Sequence, residues 1–259
     1  KEENKMVVDE IQTIFKDEHV PVWGISYASK MANEPAGYRS DDLLLGARSL
    51  ICFGIPVPRG VYHAPIHAEE TIWRSQNLYY RRLDTLSIRI ATILEESGES
   101  AIPTYGCMPL GMNSKGVVDG YFNQIRMGEV TGMGFIGKNG LLLHPQYGAR
   151  LMLGGVISTA ELPEIRHPDT KQLSCPTECR ICAEVCPVNA IMVDKKQVKI
   201  MRCLSYTSRT PLMSRIKLLA LRLFNSQAAA RYMSLTSFDE LTFHVCSRCV
   251  ALCPYGDSK

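Results

Sequence analysis

Eight of the ten cysteines in this 259-residue chain lie between Cys175 and Cys253. They fall into two copies of one pattern. The first reads Cys175-x3-Cys179-x2-Cys182-x3-Cys186-Pro187. The second reads Cys203, then Cys246-x2-Cys249-x3-Cys253-Pro254. Cys-x2-Cys steps let a tight turn present successive sulfurs to one face of a cubane, and in two-cluster ferredoxin arrangements the cysteine before proline ligates the other cluster. The pattern therefore predicts two [4Fe–4S] clusters. Cluster one takes Cys175, Cys179, Cys182 and Cys253; cluster two takes Cys186, Cys203, Cys246 and Cys249. Two departures stand out. The first spacer is x3 where x2 is usual, and Cys203 stands far from its partners, as if an insertion had opened the second motif. Paired cysteines also make zinc sites, but Cys-x3-Cys-Pro closing both copies is unusual for them. Disulfides do not fit this spacing.

Clusters that share ligands crosswise lie close together and carry single electrons. Such a wire does not need the 165 residues that precede it, so those residues supply an acceptor or a site of chemistry. A hydrophobic content of 46% is ample for a core. The net charge of +3 demands no nucleic-acid partner. Residues 1–19 are charged throughout and do not read as a secretory signal. No stretch approaches the roughly 20 apolar residues of a membrane span. The expectation is a soluble protein in a reducing, cytoplasmic compartment.

Apolar spacing predicts a helix over residues 4–17, with Met6, Val7, Ile11, Ile14 and Phe15 on one face. A long helix is expected over 68–97, carrying Leu78, Leu83, Leu86, Ile88, Ile90, Ile93 and Leu94 and stopped by Gly98. Strands are expected over 20–26, 49–57, 140–144 and 150–159, a helix over 120–131 and a loop over 103–115. The alternation predicts an α/β or α+β domain over 1–165. A linker at 161–174 then leads into a ferredoxin-like unit over 166–259 with a helical insertion at 207–240. Within it, residues 211–233 form a basic amphipathic helix with Leu212, Ile216, Leu219, Leu223 and Phe224 beside Arg215, Lys217, Arg222 and Arg231. The preferred reading is a lid whose apolar face covers a cluster; the alternative is a docking surface for a partner or membrane.

Gly132-Met133-Gly134-Phe135-Ile136-Gly137 matches G-x-G-x-x-G. A dinucleotide site needs a strand before it and a helix after it. Here a polar stretch precedes and a strand follows, so the run reads as a tight turn whose backbone approaches something closely, a flat cofactor being one candidate. Asn139 stands where a P-loop needs Ser or Thr. His63 and His67 are separated by Pro65 and share no helix face. Cys52 reads as a core thiol, Cys107 as a loop thiol.

The run from Gly132 through Leu143, then Gln146-Tyr147-Gly148-Ala149-Arg150 and residues 153–159, resembles the epoxyqueuosine reductase family, as does Cys203-Leu204-Ser205-Tyr206. The stretch 37–50 is similar to uncharacterised relatives. The resemblance implies a nitroreductase-like domain holding cobalamin, as in the related reductive dehalogenases, with two clusters feeding electrons to the cobalt. It implies that Gly134, Phe135, Ile136, Gly137, Lys138, Asn139, Leu141, Tyr147 and Arg150 lie near the corrinoid. The family's catalytic aspartate aligns with Val118, beside Asp119; Asp119, Tyr105 and Arg126 are the candidate proton donors. The tRNA-modifying members continue into a helical-repeat domain, whereas this chain stops six residues after Cys253, so tRNA is not the expected substrate. The expectation is a reductase of a small organic molecule, supplied by a donor such as ferredoxin or flavodoxin. Two alternatives are an activating protein that reduces a corrinoid protein, and a flavin (FMN) in place of the corrinoid.

Overall fold

The computed structural model describes residues 2–105, 111–112, 118–119, 122–166, 173–195, 197–209, 212–225, 228, 243–244 and 246–256. Its centre is a four-stranded sheet of β1 (Val22–Tyr27), β2 (Ser49–Pro56), β3 (Ala101–Thr104) and β4 (Leu151–Ser158), in the order β1-β2-β4-β3. Every pairing is antiparallel. Of the two expected classes this is the α+β kind, because β4 enters late in the chain and lies between β2 and β3.

Seven of the eight residues of β2 are buried, as its nearly continuous apolar sequence predicts for a strand covered on both faces. Alternation along the strand sends side chains to opposite layers. Ile51, Phe53 and Ile55, with Met152 and Val156 of β4, meet helices α1 (Glu2–Asp17) and α2 (Ala68–Glu96). Leu50, Cys52 and Ile157 meet the short helix α3 (Gln124–Val130) through Met127 and Val130. The expected helices form, but not every apolar residue assigned to them faces inward. Leu83, Leu86, Ile90 and Leu94 are buried, whereas Met6, Leu78 and Ile88 are exposed. Helix α2 stops where Gly98 takes a left-handed φ of +86°. The Ser87 hydroxyl accepts a 3.2 Å bond from the Gly155 amide, tying α2 to the sheet.

The linker begins later than expected. Leu162 is buried, and Ile165 exchanges two backbone bonds, of 2.8 and 2.9 Å, with Ile25 of β1. Arg166 donates to the Val130 carbonyl at 2.7 Å. Residues 161–166 therefore extend the sheet domain.

Phe53 is wholly buried, 5.2 Å centroid to centroid from Phe15. Gly154 leaves it room, since a Cβ there would come within 2.9 Å of the ring. Phe53→Ala is expected to destabilise the protein by about 3–5 kcal/mol. Chemical denaturation measures this, and a loss below about 1 kcal/mol would contradict the packing described.

Candidate metal centre

Each cysteine motif folds as a turn followed by a single helical turn. In the first, Cys179 donates its amide to the Pro176 carbonyl at 3.1 Å, and the helix Ile181–Glu184 carries Cys182. After Cys186 the chain turns through Asn189 at a φ of +47°. The Ala190 amide then bonds to the Cys186 Sγ at 3.2 Å, the kind of contact that stabilises a thiolate. In the second motif the helix Arg248–Ala251 carries Cys249.

Cys203 reaches its distant partners by a local device. It sits on α4 (Ile200–Thr207), and the next two residues, Ser208 and Arg209, pair with His244 and Phe243. That two-stranded closure returns the chain to Cys246, whose amide donates to the Thr207 hydroxyl at 2.9 Å. The motif is split in sequence and joined in space. No spacing rule signals Thr207.

Three of the eight thiols feel the charge of their neighbours. Burial pushes the Cys182 thiol up, and Cys175, Cys179 and Cys253 reinforce the shift. Burial also raises Cys203, reinforced by Cys246 and Cys186. Cys249 is pushed up to about 12, first by burial and then by Cys203, Cys246, Cys182 and Cys186. Cys182 and Cys249 thus bring the two sets within reach of each other. Among the described residues no three His, Cys, Asp or Glu side chains close on a single-ion site. The thiols of the two motifs feel one another's charge. The donor set fits two four-iron clusters with crosswise ligation. Cys52 is different: it lies wholly buried in β2, and burial pushes its thiol up to about 12, as for a core residue. Cys107 lies outside the described residues.

The glycine-rich run precedes and enters a small hairpin, Phe135–Ile136 paired with Leu142–Leu143. No helix follows it, so the dinucleotide reading fails in structure as in sequence. The backbone approached at Gly134 is the protein's own: a Cβ there would lie 2.3 Å from the Leu143 carbonyl oxygen. A Cβ at Gly137 would strike the Leu143 side chain at 2.6 Å. The hairpin's outward groups meet the cluster unit. The Lys138 Nζ donates to the carbonyls of Pro176, Thr177 and Cys179 at 2.8, 2.6 and 3.0 Å. The buried Asn139 amide reaches the Cys249 carbonyl at 3.5 Å. Phe135 meets Tyr255 edge-on at 4.9 Å, and Leu141 joins them in one apolar cluster with Cys175 and Cys253. Gly148 and Gly256, both at left-handed φ, face each other so closely that a Cβ on either would lie 2.2 Å from the other segment's backbone. The glycine run therefore forms no open cradle for a corrinoid. Ile136 is its exposed residue. Tyr147 is half-buried and stacks on His144 at 5.1 Å, and Arg150 donates to the Val57 carbonyl at 2.8 Å.

Of the proton-donor candidates, the structure describes the side chains of Arg126 and Tyr105. The Arg126 guanidinium is paired with Glu129 and stands 3.6 Å from Glu34. Tyr105 follows β3 and is exposed. Asp119 lies in a two-residue strand paired with Gly111–Met112, and its side chain is outside the described residues. A cavity of about 440 Å³ borders both motifs, with Tyr62 and His63 on one wall and Glu184, Pro187, Arg248 and Leu252 on the other. The preferred reading of the insertion as a lid also needs correction. In α5 (Leu212–Phe224), Met213, Ile216, Leu219, Leu223 and Phe224 are between 52% and 89% exposed, so that face covers no cluster.

No protein-family model matches the chain. Curated relatives do. The chain is 30% identical over 179 residues to an epoxyqueuosine reductase of Synechocystis, covering 68% of this chain and 56% of that protein. It is 24% identical over 189 residues to one of Staphylococcus aureus, covering 71% and 47%. The chain thus spans about half the length of these relatives. Among solved structures, epoxyqueuosine reductase from Streptococcus thermophilus matches 96% of this chain and 66% of its own, with a TM-score of 0.59 and 18% identity. An epoxyqueuosine reductase bound to a tRNA-Tyr stem loop matches 99% and 67%, again with a TM-score of 0.59, at 17% identity. A reductive dehalogenase described as B12-dependent matches 83% and 34%, with a TM-score of 0.50 and 16% identity. The chain is similar in sequence to epoxyqueuosine reductases and shares a mixed α/β fold with them and with reductive dehalogenases. The tRNA-bound relative runs against the expectation that tRNA is not a partner.

Cys253→Ser is expected to remove cluster one and Cys203→Ser cluster two, each lowering iron from about eight to about four per chain. Iron and sulfide analysis after anaerobic reconstitution measures this. Full iron retention in both variants would exclude the crosswise assignment.

Proposed function

We propose that this chain, a relative of the epoxyqueuosine reductases, is an iron–sulfur reductase that passes electrons one at a time through two [4Fe–4S] clusters to a reducing cofactor. The observation that carries the reading is the spacing of eight cysteines in two motifs, on a unit seated against the sheet domain through Phe135, Leu143 and Tyr255. On this reading residues 1–165 are a nitroreductase-like domain and residues 166–259 a ferredoxin-like one. The likeness to a B12-dependent dehalogenase favours a corrinoid over a flavin as that cofactor. A corrinoid would supply the two-electron chemistry that one-electron clusters lack. Lys138, Asn139 and Gly134 are engaged with other protein groups, which leaves the exposed Ile136 as the residue of the glycine run that would meet it.

Two substrate classes fit. The relative bound to a tRNA stem loop makes an epoxyqueuosine-bearing tRNA one of them; a small organic molecule, as for the dehalogenases, is the other. A second reading, an activating protein that reduces a partner's cofactor, draws support from α5. Its exposed apolar face carries Lys217 in a helix without an acidic residue, which suits an acidic redox partner such as ferredoxin or flavodoxin.

Anaerobically purified protein is expected to hold about eight irons and, with added cobalamin, about one cobalt. Eight irons without cobalamin binding would reject the corrinoid and leave the activating reading; zinc in place of iron would reject both. For docking, Leu219→Glu is expected to weaken binding of reduced ferredoxin or flavodoxin at least tenfold, read by calorimetry. An unchanged Kd would remove α5 from the interface.

A further inference from the structure

Lys138 reaches out of the sheet domain and spends all three of its N–H donors on the loop that carries cluster one. Its acceptors are the carbonyls of Pro176, Thr177 and Cys179, between and beside the ligands Cys175 and Cys179. Among the described residues no carboxylate lies within ion-pair distance of it, although its charge reaches Asp194. The other cation of this loop, Arg180, is paired with Asp194 at 3.2 Å and closer. The half-buried Lys138 is thus a fixed positive charge beside one cluster loop. The second loop receives only a neutral donor from the same hairpin, the Asn139 amide at 3.5 Å from the Cys249 carbonyl.

A cluster gains negative charge when it takes an electron, so a nearby fixed cation favours its reduced form. Net charge and hydrogen bonding around the sulfurs are the levers that set cluster potentials. The three carbonyls held by Lys138 also fix the peptide planes of the loop, since each N–H points opposite to its carbonyl across a planar unit. Cluster one, moreover, is the one packed against the sheet domain, through Cys175 and Cys253.

Building on the two-cluster reading above, we infer that Lys138 is a positioning residue that holds cluster one at a higher potential than cluster two and so gives the pair a direction. One electron leaves reduced cluster two, which returns to its oxidised state, and enters oxidised cluster one. No bond or proton changes hands. The electron enters cluster two from a low-potential one-electron carrier protein and leaves cluster one on the side of the sheet domain.

The test is a redox titration of the reconstituted full chain followed by electron paramagnetic resonance, after iron analysis has established about eight irons. Wild type is expected to give two one-electron waves. Lys138→Met is expected to lower the upper wave by at least a tenfold change in its reduction equilibrium, about 59 mV for one electron, and to leave the lower wave in place. Lys138→Arg, which keeps the charge, is expected to restore most of the separation. Asp194→Asn preserves every Lys138 hydrogen bond and removes a negative charge near the same loop, so it is expected to raise the upper wave. It supplies the test if Lys138→Met fails to load iron. Waves that coincide in wild type, equal shifts of both waves in Lys138→Met, or an upper wave unmoved in the loaded variants would overturn the inference. An iron count far from eight would instead reject the cluster reading on which it rests.

Discussion

On the two-cluster reading proposed above, the crossing of ligands between the two cysteine motifs constrains the whole C-terminal unit. The thiol that completes the first quartet, Cys253, arrives 71 residues after Cys182, and the first motif lends Cys186 to the second quartet. Neither motif can finish a site alone. Closing such a long loop adds only logarithmically to the entropic cost, whereas leaving buried thiolates without a metal is heavily penalised. Burial and the neighbouring thiols express that penalty at Cys249, which is driven to about 12. On the same reading, metal loading and folding of this unit are coupled.

The unit is not carried on a free tether. Gly148 meets Gly256 backbone to backbone, Tyr255 packs edge-on against Phe135, and the Arg59 guanidinium donates to the Gly256 carbonyl at 3.1 Å. These contacts come from three separate parts of the sheet domain and converge on the few residues after Cys253. The short chain segment that delivers the last thiol is thus gripped by the domain, as the first cysteine loop is by Lys138.

Much of this was legible in the sequence wherever a chemical rule limits the options. Thiolate geometry dictates the cysteine spacings, and the proposed quartets rest on that rule. The apolar run of β2 and the left-handed stop at Gly98 were readable for the same reason. Two kinds of information were not. Periodicity identifies an apolar stripe but not what lies against it: Leu78 and Ile88 belong to the apolar pattern of α2 yet are exposed, and the apolar face of α5 is turned to solvent. A glycine run signals close approach without naming the partner. At Gly134 the partner is the Leu143 carbonyl, a contact between residues nine positions apart that no local pattern encodes. Resemblance pointed to the same hairpin as a cofactor wall, whereas its Lys138 and Asn139 are turned toward the cluster loops.

The pairing of Ser208 and Arg209 with His244 and Phe243 separates two roles of the insertion. On one side of this clasp the distance from Cys203 to Cys246 is fixed by backbone bonds and by the Thr207 hydroxyl. On the other side, the described helix Leu212–Phe224 turns apolar residues to solvent. Doubling a loop's length costs only about 0.6 kcal/mol, so a change of length beyond the clasp adds little to the cost of closing it, and an engineer could graft a different helix there while leaving the clasp itself in place.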